Sequence, residues 1–78
     1  MKEFLEYIIK NLVDRPEEVH IKEVQGTHTI IYELSAAKPD IGKIIGKEGR
    51  TIKAIRTLLV SVASRNNVRV SLEIMEDK

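Results

Sequence analysis

Gly46 and Gly49, three positions apart, divide two apolar stretches that each run in helical phase, with Ile41, Ile44 and Ile45 before them and Ile52, Ile55 and Leu59 after. Inside a helix each glycine costs roughly 1 kcal/mol relative to alanine, so the pair is not helix interior and instead marks a reversal between two helices. A chain built around such a reversal places two helix ends and a stretch of bare backbone side by side. Gly46 allows the first helix to stop in a left-handed or otherwise strained conformation, and Gly49 allows another backbone to come close.

The remaining elements follow from periodicity. Phe4, Leu5, Ile8, Ile9, Leu12 and Val13 recur at spacings of three and four and predict a first helix, ended by Arg15-Pro16 because a residue before proline is pushed out of the helical region. Val19 and Ile21 alternate with His20 and Lys22 as a short strand, and Val24 falls off that period, which predicts a bulge or an irregular edge. After Gln25-Gly26-Thr27, a second strand puts Ile30, Tyr32 and Leu34 on one face and Thr29, Ile31 and Glu33 on the other; the apolar Ile31 suggests a central position, and Tyr32 is assigned to the core. Pro39-Asp40 opens a short helix, since proline suits a first turn. The helix after Arg50 carries Ile52, Ile55, Leu59 and Val62, with Ala54 and Leu58 widening the stripe. Arg65-Asn66-Asn67 breaks it, and Val68, Val70, Leu72 and Ile74 then alternate as a last strand. Glu76-Asp77-Lys78 is expected to fray.

This order predicts a two-layer α/β domain: a three-stranded mixed sheet covered on one face by three helices, with the first two strands as a hairpin and a parallel third strand reached by a helical crossover. At 78 residues the chain is read as one domain, 1–78, that buries about 60% of its extended-chain surface and has little room for an enclosed active site. It has no cysteine and no apolar run of membrane-spanning length, which excludes disulfides and thiolate metal sites and points to a cytoplasmic protein with no membrane partner. No signal peptide is evident at Met1-Lys2-Glu3.

The formal net charge is +1, but residues 38 to 56 hold Lys38, Lys43, Lys47, Arg50, Lys53 and Arg56 against only Asp40 and Glu48, a local +4 that leaves the rest near −3. Such asymmetry concentrates an attractive potential for anions on one face; the alternative is an ordinary solvated face. Free N–H groups at the start of the Arg50 helix add a favourable place for phosphate. Beside the bend, Ile45 and Ile52 offer apolar surface for bases, while Lys47, Arg50, Lys53 and Arg56 can neutralise phosphates. That combination suits unpaired nucleotides better than a duplex. With only Phe4, Tyr7 and Tyr32 as aromatics, a stacking platform of the OB or RRM kind is poorly supplied.

Other chemistries find little support. The spacing Gly42-x-x-x-Gly46-Lys47 fails the phosphate-binding loop of nucleotide hydrolases, and no Gly-x-Gly-x-x-Gly follows a strand. His20 and His28 have no carboxylate–histidine spacing of a metal site, and Ser61, Ser64 and Ser71 have no histidine base at a motif-like distance. No enzymatic activity and no cofactor are therefore expected.

The run Ile44-Ile45-Gly46-Lys47-Glu48-Gly49-Arg50-Thr51-Ile52 resembles the signature of the KH domain, an Ile-Gly-x-x-Gly-x-x-Ile core, and the element order is similar to the prokaryotic type II form, α-β-β-α-α-β. The resemblance covers almost the whole chain. It implies an RNA-binding protein holding about four unpaired nucleotides in a groove beside the glycine loop, as a post-transcriptional regulator or RNA chaperone. Carried over, the groove comprises Ile44, Ile45, Gly46, Lys47, Glu48, Gly49, Arg50, Ile52, Lys53 and Arg56, faced by Val68 and Val70, with Arg65-Asn66-Asn67 as a short variable loop. Glu48 is unusual there, since a carboxylate repels phosphate. Small free-standing members of the family imply a homodimer, a heteromeric complex with a larger KH-containing RNA-binding protein, and a link to cell shape and cell wall biogenesis. The alternative is a protein-interaction adaptor with incidental RNA affinity. Thr57, Ser61 and Ser64 are a candidate contact face, because small residues permit close helix approach.

Overall fold

The computed structural model describes residues 1–75, so the expectation of a fraying Glu76-Asp77-Lys78 tail lies outside the described residues. The elements run α1 (Lys2–Leu12), a 3-10 turn (Pro16–Glu18), β1 (His20–Gln25), β2 (Thr29–Ser35), α2 (Lys38–Ile45), a second 3-10 turn (Lys47–Gly49), α3 (Arg50–Arg65) and β3 (Arg69–Ile74). The sheet order is β1-β2-β3, with β1 antiparallel and β3 parallel to the central β2. This is the expected mixed sheet, because the long path through α2 and α3 permits the parallel third strand.

One face of the sheet meets the helices. Ile30, Tyr32 and Leu34 on β2, with Val70, Leu72 and Ile74 on β3, pack with Leu5 and Ile9 of α1, Ile44 of α2, and Ile52, Ile55 and Leu59 of α3 in one apolar cluster. Tyr32 is 1% exposed, in the core as its strand parity required.

Three local expectations are corrected. Val24 causes no bulge: β1 pairs with β2 without interruption from His20↔Ser35 to Gln25↔Ile30. Val24 belongs to the opposite face, where its neighbour is Ile31, and the core-side position between Ile21 and Gln25 is held by Glu23. Second, α1 stops at Leu12, with Val13 already extended at φ −103°, ψ 159°, well before Arg15-Pro16. The amides of Asp14 and Arg15 turn aside to donate to the Asp40 carboxylate at 3.2 and 3.0 Å, a tertiary capture that outcompetes another helical turn. Third, Ala54 and Leu58 do not widen the buried stripe of α3, which consists of Ile52, Ile55, Leu59 and Ala63; Leu58 is 48% exposed.

Candidate nucleic-acid interface

The bend between α2 and α3 is built from three departures from right-handed backbone within four residues. Gly46 closes α2 at φ 77°, ψ 173°, Glu48 lies at φ 58°, ψ 24°, and Gly49 precedes α3 at φ 74°, ψ 15°. The two glycines serve different needs. A Cβ on Gly46 would overlap Thr51 Oγ1 and lie 2.9 Å from the Thr51 nitrogen, so packing against the first turn of α3 requires its absence. A Cβ on Gly49 would meet only the Lys53 Cε, at 4.0 Å: the outside of the bend is open.

Three amides of the bend are already bonded within the chain. Gly46 N–H donates to the Gly42 carbonyl at 2.9 Å, Gly49 N–H to the Gly46 carbonyl at 3.1 Å, and Arg50 N–H to the Lys47 carbonyl. The expectation of free N–H groups at the start of the Arg50 helix is thus corrected at Arg50, because the 3-10 turn occupies that donor.

Around the bend stand exposed charges. Lys47, Arg50 and Lys53 are exposed, and the Glu48 carboxylate sits 3.5 Å from the Arg50 guanidinium in a pair open to solvent on both sides. Such a pair contributes at most about 1 kcal/mol, so a phosphate can displace it. Lys43 points elsewhere: its ammonium is held by the Asp14 carboxylate and lies 3.9 Å from Asp40, so it is not among the cations beside the bend.

Further along α3, Lys53, Arg56 and Val60 recur at i, i+3 and i+7 and share one side of the helix. Arg56 Nη2 donates to the Leu72 carbonyl at 3.1 Å, bridging α3 to the free edge of β3. Here a groove of about 290 Å³ opens, lined by Arg56, Leu59, Val60, Val70, Ser71 and Leu72. From Gly49 to Val60 is about 16 Å along the helix axis, enough for a short stretch of nucleotides. Arg69 N–H bonds to His28 and Met75 N–H to Leu34, so in the parallel ladder the odd-numbered residues of β3 bond inward to β2. The main-chain groups of Val70 and Leu72 accordingly face the groove, as the Arg56 bond to Leu72 illustrates.

The residues named from the sequence therefore fall into three layers. Gly46, Lys47, Glu48, Gly49, Arg50 and Lys53 surround the bend. Ile45 is half-buried beside it, whereas Ile44 (0% exposed) and Ile52 (6%) lie beneath as core and support the groove without lining it. Arg56 and Val70 meet across the groove further on, and Val68 is half-buried at the end of the short loop, its N–H bonded to the Ala63 carbonyl. Sequence reasoning missed Leu59, Val60, Ser71 and Leu72 as groove residues. Val60 alone carried a signal, an apolar residue off the core stripe of α3.

It also missed the tertiary role of Asp40, a 2% exposed carboxylate read only as a helix opener and an offset to the basic segment. Its two oxygens receive the Asp14 and Arg15 amides, which clamps the end of α1 to the first turn of the helix that leads into the bend. An acid in a first turn suits the helix dipole, but its partners lie 26 and 25 residues upstream and no local pattern reveals them. Away from the groove, burial and then the neighbouring Glu23 carboxylate push the Tyr32 hydroxyl up to about 12. Among the described residues, no three histidine, aspartate or glutamate side chains gather where they could hold a metal ion, and no helix is long and apolar enough to cross a membrane.

The α-β-β-α-α-β order, the mixed sheet and the Gly-x-x-Gly bend between the two crossover helices define a type II KH domain. The family model of the KhpA/KhpB KH domain matches residues 2–74, and the chain belongs to that family. It is 94% identical over 78 residues to the RNA-binding protein KhpA of Chlamydia caviae and 95% identical over 78 residues to that of Chlamydia pneumoniae, with both chains fully covered in each case. The RNA-binding protein KhpA of Clostridium perfringens is 51% identical over 75 residues, covering 96% of this chain and all of its own.

Proposed function

We propose that this chain binds single-stranded RNA without catalysis, holding about four nucleotides along the track from the glycine bend to the α3–β3 groove. The observation that carries the reading is the open outer side of Gly49 beside the exposed Lys47, Arg50 and Lys53, continuing down one side of α3 into the groove against the edge of β3. Phosphates sit against the open side of Gly49 and the Lys47, Arg50 and Lys53 side chains. Bases lie over Ile45 and Val60, where the N–H and C=O of Val70 offer a donor and an acceptor to a base edge. Arg56 contributes its positive charge from a fixed position, one N–H being committed to Leu72. The relatives named as RNA-binding proteins match over the whole of this track.

Binding of this kind depends on salt, with a slope of about −0.7 in log K against log salt for each phosphate neutralised on a single strand. The test replaces Lys47 and Glu48 together with Asp. Both side chains are exposed, and Asp tolerates the left-handed backbone at Glu48, so the fold persists while two like charges face the phosphates. Titration of unstructured RNA at two salt concentrations is expected to show a loss of at least about tenfold. Undiminished binding by a folded variant removes the bend from the site.

Self-association is a second reading, favoured by Leu58, 48% exposed on the α3 side that also carries Ser61. A dimer, or a pairing with a larger KH-containing protein, brings two grooves into one particle and raises the effective concentration at the second.

A further inference from the structure

We propose that RNA leaving the α3–β3 groove continues around the edge of β3 onto the helix-free face of the sheet, where Thr29, Ile31, Arg69 and Ser71 form a second contact area. This extension rests on the reading of the groove as an RNA site. Pairing of Thr29 with Arg69 and of Ile31 with Ser71 places these four residues together on the face opposite the core. They line a concavity of about 320 Å³ with Ile30 and Val70. Val70 and Ser71 line both this concavity and the α3–β3 groove, so the width of one edge strand separates the two.

The chemistry matches a nucleotide. Arg69 is an exposed cation, Thr29 and Ser71 offer hydroxyls, and Ile31 is half-buried apolar surface on which a base can lie. The same face limits the path. One step further along the ladder Glu33 lies directly opposite Glu73, with Lys22 beside Glu33 on the other strand, and His20 is further along β1. Two adjacent carboxylates repel a phosphate backbone, which confines the strand to the Arg69 end.

The test compares random-sequence, unstructured RNA of about four and about eight nucleotides, bound to the full chain and followed by amide chemical shifts and anisotropy. Arg69→Ala is expected to weaken the longer RNA by about threefold to tenfold and to reduce its salt slope by about 0.7, while the shorter RNA binds as before. Lys22→Ala, on the same face but the opposite edge strand, leaves both unchanged. Equal loss for both lengths in Arg69→Ala places Arg69 in the groove itself and overturns the extension, as does no loss for either. A Lys22→Ala effect as large as that of Arg69→Ala reduces the result to nonspecific charge and overturns it too. Failure of the underlying reading is distinguishable, because it shows as retained binding of both lengths by the variant with Asp at positions 47 and 48.

Discussion

Alanine at Gly46 and alanine at Gly49 are the same chemical change three residues apart, and the structure assigns them opposite consequences. At Gly49 the backbone is left-handed, which costs an L-residue about 1–2 kcal/mol, partly offset by the smaller unfolded-state freedom of alanine. Since the new methyl meets nothing closer than Lys53 Cε at 4.0 Å, the net loss of stability is about 1 kcal/mol. At Gly46 the φ of 77° and ψ of 173° belong to a region kept almost entirely for glycine, costing about 1–3 kcal/mol. Overlap with Thr51, including its main-chain nitrogen, adds about 1–3 kcal/mol more. A domain of 78 residues has a total stability of about 4–12 kcal/mol, so Gly46→Ala removes much of it and Gly49→Ala does not. RNA affinity responds in the other sense. The Gly49 methyl occupies the open side where a phosphate approaches the backbone beside Lys47 and Arg50, and is expected to cost about 1.5–3 kcal/mol of charge-assisted hydrogen bonding, about tenfold or more in affinity. Urea denaturation of both variants, with RNA titration of the folded Gly49→Ala protein, checks the pair. Equal destabilisation by the two substitutions, or wild-type RNA affinity in Gly49→Ala, refutes the assignment of a packing role to one glycine and a clearance role to the other.

Removing the Asp40 carboxylate with Asp40→Ala leaves two main-chain N–H groups without acceptors and is expected to cost about 2–4 kcal/mol, read by urea denaturation and by faster hydrogen exchange at the Asp14 and Arg15 amides; unchanged exchange there contradicts the clamp. The Tyr32 hydroxyl holds its proton to about 12 in the folded chain and to 10.0 in the unfolded one, so its contribution is fully present below pH 10 and falls away as pH rises toward 12. Comparison with Tyr32→Phe is expected to isolate a loss on the order of 2–3 kcal/mol across that window, because titrations common to both proteins cancel in the difference.

Much of this molecule is readable without coordinates, for reasons that differ by element. Strand and helix faces were legible where apolar residues repeat without interruption, as in Val68 to Ile74 and Ile52 to Leu59, because one solvent-free side imposes its period directly on the chain. The glycine bend was legible because no other residue occupies its backbone conformations cheaply. Where a position's role depends on something distant in sequence, the pattern misled: Val24 looked like an irregularity until its register with Ile31 assigned it to the uncovered face, and α1 ended early because Asp40 takes two of its continuing amides.

The same division holds at the candidate site. The charges and glycines of residues 46–53 stand next to one another in the chain, so their company was visible in it. Which cations face the bend was not, because Lys43 is drawn off by Asp14 and Asp40 and Arg56 is tied to Leu72. Nor was the split of the isoleucines, where Ile45 stays at the surface and Ile44 and Ile52 turn under it. Local order decides backbone conformation and face, since those depend on neighbours within a turn or a strand. Tertiary packing decided which polar groups were already spent on partners 16 to 29 residues away and which remain for a ligand.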